Sequence, residues 1–260
     1  MSRRTHQTNL TGRTNRGLQA VAVVSAVVLC AAAIYWLSLE EPRRTPVSCD
    51  VFVDQSGSIK SEEQLTQWRE VFAKLLDRLG PLDSLRIFGI HDQTTNAAPI
   101  FQAELRDLPE GAGLKEVKEW RAELARVREE ATKAFHQSLR PQQRASTTDI
   151  LSSLDRIKPD RARKREVWFM SDMLQATREL NLEKTALSEE NIAGLLNPVV
   201  ANHQWQKGAL AGVEVYCLLN SVGINGPSPL NDRHILERFW KTLFEHLGAD
   251  LKMFETHVTL

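Results

Sequence analysis

Between Gly17 and Leu39 the chain carries no charged side chain, and from Leu18 to Ser38 it reads LQAVAVVSAVVLCAAAIYWLS. As a helix rising about 1.5 Å per residue, this stretch spans roughly 30 Å, the thickness of a bilayer's hydrocarbon core. A cleavable signal peptide has a shorter apolar run, about 7–15 residues. Leu29 also stands before Cys30, where a lipoprotein signal peptidase needs a small residue. Tyr35 and Trp36 suit the aromatic belt at a membrane surface. The expectation is a retained transmembrane helix over 18–38. The tail 1–17 holds Arg3, Arg4, Arg13 and Arg16 and no acid, whereas Arg43 and Arg44 follow the helix beside Glu40 and Glu41. Lys and Arg set orientation, so the N-terminus is expected in the cytoplasm. The rest of the chain is expected beyond a cell (inner or plasma) membrane, in a single-pass arrangement. A linker over 39–46 contains Pro42 and Pro46; fully extended it reaches at most about 27 Å, which keeps the next domain near the membrane.

From Val47 onward, short apolar runs alternate with helical patterns. Ser48–Asp54, Ser84–His91, Pro99–Leu105, Val167–Met170, Val213–Leu219 and Leu251–Phe254 read as strands, the third alternating enough to be an edge strand. Ser61 and Gln64 form an S-x-x-Q capping box, and Leu65, Trp68, Phe72, Leu75, Leu76 and Leu79 recur behind it at helical spacing until Gly80-Pro81. A charged helix is expected over 113–139, with Val117, Trp120, Leu124, Val127 and Ala131 as its apolar stripe. Docking onto its own sheet explains that stripe better than a coiled-coil seam does. Thr148–Ile157 opens another helix, Ser188–Leu196 a further one that should stop before Pro198, and Asp232–Leu247 the last. Apolar strands separated by helices indicate a doubly wound α/β domain with a mostly parallel sheet, over 47–258.

Several classes fall away on composition. Equal numbers of basic and acidic residues, 33 each, give no net charge, so no nucleic-acid partner is expected. Three cysteines exclude a disulfide-dense scaffold and a four-cysteine zinc site. Cys49 and Cys217 lie in expected strands and read better as buried thiols than as a pair. There is no H-E-x-x-H spacing, no phosphate-binding G-x-x-x-x-G-K-[ST] loop and no G-x-S-x-G elbow, so the chain is not expected to be an enzyme.

In a doubly wound sheet, function collects at the carboxyl ends of the strands, where strand order reverses. At the end of the first strand stands Asp54-Gln55-Ser56-Gly57-Ser58, a D-x-S-x-S run. One carboxylate and two hydroxyls at alternate positions of a turning loop converge on a point, and hard cations of the Mg²⁺ type prefer such oxygen ligands. Thr148 opens the run TDILSSL, and Asp172 follows the apolar strand VWFMS. Both belong on the same edge as Asp54. His91-Asp92 and the turn-rich loop Gly223–Pro229 also approach that rim, and Asp50 should lie at the opposite edge. Asp149 reads as a first-turn helix acid.

With these residues together, the chain resembles the von Willebrand factor A family over about 210 residues, 47–258. The match is specific at Asp54, Ser56 and Ser58, at Thr148 and at Asp172. The resemblance implies a metal-ion-dependent adhesion site. It holds Mg²⁺ (Mn²⁺ or Ca²⁺ as alternatives) directly through Ser56, Ser58 and Thr148, and through Asp54 and Asp172 directly or by way of water. The site leaves one position open for an acidic side chain of a partner protein. The chain departs from the family at Met173, where glycine is common, and at Ser146 and Thr147, where glycine often precedes the threonine. These departures bear on loop shape and remove no ligand oxygen. The expected function is a membrane-anchored, metal-dependent protein-binding module. Behind it stand a metal-independent assembly component docking through the helix over 113–139, and last a metal-assisted hydrolase.

Overall fold

The computed structural model describes residues 44–55, 61–91, 97–140, 147–158, 160, 162–219 and 230–256. The chain divides into two units, Met1–Arg44 and Thr45–Leu260, and every described element belongs to the second. The expected membrane helix over 18–38, with the tail 1–17, lies outside the described residues, as do Ser56, Ser58, Ser146, Asp92 and the loop 223–229. Among the described residues no helix is long and apolar enough to cross a membrane.

Six strands form one sheet: β1 (Val47–Asp54), β2 (Ser84–Ile90), β3 (Phe101–Glu104), β4 (Lys164–Met170), β5 (Val213–Leu218) and β6 (Asp250–Glu255). Their spatial order is β3-β2-β1-β4-β5-β6. Every neighbouring pair is parallel except β2 with the short edge strand β3. The chain therefore winds outward from β1 through β2 on one side, then returns to β4 on the other side and winds out again. The reversal point lies between β1 and β4.

Among the described residues five helices flank the sheet: α1 (Glu62–Asp77), α2 (Leu114–Ser138), α3 (Leu151–Leu154), α4 (Glu189–Asn202) and α5 (Arg233–Leu247). Alternation within β1 shows why both faces are covered. Cys49, Val51 and Val53 pack under α1 and α2, while Phe52 packs with α3, α4 and α5. Nearly all of β1 is buried, as a strand covered on both faces requires. Phe52 stacks on Phe88 of β2 and Phe169 of β4, with ring centroids 5.0 and 5.2 Å apart. These three rings sit in register across the reversal point. On the other face Phe72 of α1 stacks on Phe135 of α2 at 4.1 Å, so the two helices dock as a pair. Each such ring, fully buried, contributes about 1.5–3 kcal/mol by leaving water.

The capping box expected at Ser61 is present in part: Ser61 Oγ accepts from the amide of Gln64 at 3.2 Å. Asp232 Oδ1 caps α5 by accepting from Ile235 N at 2.9 Å, and Gly248 ends that helix at φ 77°. The buried face of α5 is Leu236, Phe239, Trp240, Leu243, Phe244 and Leu247. Helix α2 docks on the sheet through Val127, Ala131, Ala134 and Phe135. Its first turns, with Val117, Trp120 and Leu124, are only half-buried.

Two helix boundaries differ from expectation. Helix α4 runs through Pro198 to Asn202 instead of stopping before it. Proline there removes one helical hydrogen bond, yet Val199 is buried and Val200 and Trp205 pack on the core; tertiary packing holds the last turn. Helix α3 is a single turn, and Thr148 precedes it rather than opening it. Cys49 and Cys217 are both free and buried, on opposite faces of the sheet. Burial pushes both thiols well above their ordinary range, with nearby carboxylates adding to the effect.

Candidate metal centre

Asp54 is the last residue of β1, and the register pairs Val53 with Met170, so Asp54 lies across from Ser171. Ser171 Oγ donates to Asp54 Oδ2 at 2.8 Å and accepts from Met173 N at 3.1 Å. Asp172 Oδ1 accepts from Leu174 N at 2.9 Å, a turn in which the aspartate caps its own loop. Both aspartates thus stand at neighbouring carboxyl ends at the reversal point. They are 2% and 5% exposed, and buried carboxylates at this position need partners. Thr148, 5% exposed, comes from a third segment. Its carbonyl accepts from Ala176 N at 2.9 Å, which sets the Thr148 segment beside the loop that follows Asp172.

The start of the D-x-S-x-S run is fixed from the other side. Gln55 N donates to Ile90 O at 3.1 Å, and Gln55 Nε2 donates to Ser138 O at the end of α2 at 3.3 Å. Gly89 makes room for this side chain: a Cβ there would sit 2.4 Å from Gln55 Oε1.

Met173 follows Asp172 where glycine was noted as common in the resembling family. Its backbone is left-handed, φ 61°, a conformation that costs a non-glycine residue about 1–2 kcal/mol. Three contacts hold it there. Its amide donates to Ser171 Oγ, its carbonyl accepts from Trp240 Nε1 of α5 at 2.9 Å, and its side chain is fully buried in the core. The departure at Met173 therefore leaves a backbone of the kind that favours glycine.

Of the five expected ligands, Asp54, Thr148 and Asp172 share one rim. Ser56 and Ser58 lie outside the described residues. Among the described residues no group of three or more His, Cys, Asp and Glu side chains gathers where it could hold a metal ion. The expected set contributes only two carboxylates and is otherwise hydroxyl oxygen. That all-oxygen chemistry fits a hard cation and not a site built on histidine or thiolate.

Asp149 stands just before the N-cap of α3 and not in its first turn as expected; its Oδ1 accepts from Ser152 N at 3.2 Å. Asp50 is not part of the rim. It is buried and receives Arg86 Nε at 2.7 Å and Arg86 Nη2 at 2.6 Å. Burial pushes its carboxyl above the usual range and the Arg86 guanidinium opposes that shift. Sequence reading missed Ser171, which holds Asp54, although a serine directly after an apolar strand was a visible signal. It also missed Gln175, whose side chain accepts from the amides of Ile150 and Leu151 and which nothing local marked.

No protein-family model matches the chain, and no curated protein matches it. Among solved structures it is similar to the crystal structure of the manganese-loaded Plasmodium vivax TRAP protein, at 16% sequence identity and a TM-score of 0.36. The match covers 75% of this chain and 62% of that one, so the chain spans less than two thirds of it.

Proposed function

We propose that the chain is a membrane-anchored binding module of the von Willebrand factor A kind. It takes a protein partner through a Mg²⁺-dependent site (Mn²⁺ or Ca²⁺ as alternatives) and catalyses no reaction. The observation that carries this reading is the junction of Asp54 with Ser171-Asp172 at the reversal point of the sheet, where α/β domains bind ligands. Asp54, Ser56, Ser58, Thr148 and Asp172 are the proposed ligands. Ser171 orients Asp54 through Oδ2, and the Leu174 amide orients Asp172 through Oδ1. A bound Mg²⁺ would offer an open coordination position to a carboxylate of the partner. The apolar stretch over 18–38 supports anchoring, and the arginine excess before it supports an extracytoplasmic domain.

Titrating the full chain in detergent with Mn²⁺, read by electron paramagnetic resonance of the free ion, tests the site. One site is expected, lost in Asp54→Ala and in Asp172→Ala. No Mn²⁺ binding by the parent, or binding by both variants as tight as the parent's, refutes the reading. Crosslinking in membranes with Mg²⁺ and with a chelator then recovers the partner. The same partner captured equally well under chelation favours metal-independent assembly. Alkaline carbonate should release the chain from membranes only when 18–38 is deleted.

A further inference from the structure

We propose that Gln175 is a positioning residue whose side-chain amide bolts the Thr148 segment to the Asp172 segment, so that these two arms of the rim move as one body. The bolt is a matter of hydrogen bonds; its consequence for metal affinity rests on the reading above.

A glutamine amide has four hydrogen-bonding capacities, two donors and two acceptor lone pairs. At Gln175 all four are used. Oε1 accepts from Ile150 N at 2.7 Å and from Leu151 N at 3.1 Å. Nε2 donates to Asp149 Oδ1 at 3.2 Å and to Thr177 Oγ1 at 3.1 Å. The orientation of the amide follows from its partners, because backbone N–H groups only donate and an ionised carboxylate only accepts. The side chain is fully buried.

The first amides of a helix have no partner within it, and α3 has no side-chain cap at Ile150. The missing acceptor arrives from Gln175, 25 residues away from Ile150. Around Thr148 the fastening is continuous. Its carbonyl takes the Ala176 amide, the next side chain, Asp149, takes Gln175 Nε2, and the amides of Ile150 and Leu151 take Gln175 Oε1. Asp172 lies three residues before Gln175, its own loop closed by the Leu174 amide. Gln175 touches neither proposed ligand's side-chain oxygen, yet it fixes the register between the segments that carry them. Groups that orient ligands from behind typically change metal affinity 10–100-fold when removed.

The test is a charge exchange within the bolt. Gln175→Glu keeps an acceptor for the Ile150 and Leu151 amides but replaces the Nε2 donor with an oxygen that faces the Asp149 carboxylate. Adding Asp149→Asn returns a donor to that contact, at the expense of the Ser152 amide that the same Asp149 oxygen accepts. In the full chain, Gln175→Glu is expected to weaken Mn²⁺ binding by about 10-fold or more, and Gln175→Glu with Asp149→Asn to recover part of the loss. Gln175→Ala should speed hydrogen exchange of the Ile150 and Leu151 amides in peptides spanning α3, while exchange in β5 stays unchanged. A merely structural role lowers melting temperature without the rescue of affinity.

Unchanged Mn²⁺ affinity in folded Gln175→Glu, or no recovery on adding Asp149→Asn, overturns the inference. A parent chain that binds no Mn²⁺ refutes the metal reading instead. The bolt is then judged on exchange alone, and protected Ile150 and Leu151 amides in Gln175→Ala overturn it too.

Discussion

Met173 sets a conflict between backbone and side chain that two substitutions separate. Its φ of 61° is costly and its side chain is fully buried. Met173→Ala removes the buried side chain and keeps the strain; large-to-small changes of this kind cost about 2–5 kcal/mol. Met173→Gly removes the same side chain and also relieves about 1–2 kcal/mol of left-handed strain, so its cost, before glycine's own backbone entropy, falls to roughly 0–4 kcal/mol. Packing therefore outweighs strain, which explains how methionine holds a position that favours glycine. The informative quantity is the difference between the variants. At an ordinary position glycine is about 0.5–1 kcal/mol worse than alanine; here the relief of strain outweighs that cost and should leave glycine better by up to about 1.5 kcal/mol. Urea unfolding of the two variants, with equal m-values, measures this. In melting temperature the alanine variant should fall below the glycine variant by up to about 3–6 °C. An alanine variant as stable as the glycine variant, or more stable, refutes the left-handed assignment and with it the account of the Asp172 loop.

Three further outcomes are expected. Gln64 is fully buried on α1 with neither amide atom partnered; Gln64→Met, similar in shape, should stabilise by about 1–3 kcal/mol by removing an unmet desolvation cost, measured by urea unfolding. Asp50→Ala should destabilise by about 3–5 kcal/mol because it strands the buried Arg86 guanidinium, yet leave Mn²⁺ affinity in the folded fraction unchanged. His203 bonds to Asp155 at 2.9 Å and Glu179 at 3.2 Å. Asp155, foremost, holds its imidazolium above the ordinary value of 6.5. A raised folded-state value means that its contribution is full below about pH 6.5 and is lost as pH rises through the folded value. Melting temperature against pH should therefore fall across that window in the parent chain and flatten in His203→Gln.

What the sequence made legible was periodic or contiguous. All six strands were readable because β1, β4 and β5 are apolar on both faces and β3 alternates as an edge strand does. Asp54 was readable because D-x-S-x-S is written in five consecutive residues, and Asp172 because it closes an apolar run. The free state of Cys49 and Cys217 follows from their packing on opposite sides of the sheet, a consequence of parity along two strands that only the pairing register resolves. Pro198 misled because a local rule for helix ends met a core that buries Val199.

Three of the contacts that escaped sequence reading, unlike that of Ser171 with Asp54, share one physical character: each is a side chain meeting a backbone group far along the chain. Gln175 takes the amides of Ile150 and Leu151, Trp240 takes the carbonyl of Met173, and Gln55 takes the carbonyl of Ser138. Such contacts leave no period and no motif, since a carbonyl or amide is the same at every residue. Here they also decide where the motif residues stand. The D-x-S-x-S entrance is tied to α2, whereas the Thr148 and Asp172 segments are joined through Gln175 and tied together to α5 by Trp240. A shift of α2 against α5 would move the entrance against the joined pair, so on the proposed reading metal affinity depends on packing well behind the rim. Trp240→Phe isolates that dependence. It removes only the donor to Met173 O, keeps most of the ring buried, and should weaken Mn²⁺ binding, while Asp50→Ala, which breaks a pair with Arg86 away from the rim, does not. Equal Mn²⁺ affinity in Trp240→Phe and the parent would show that the Asp172 loop keeps its place without α5.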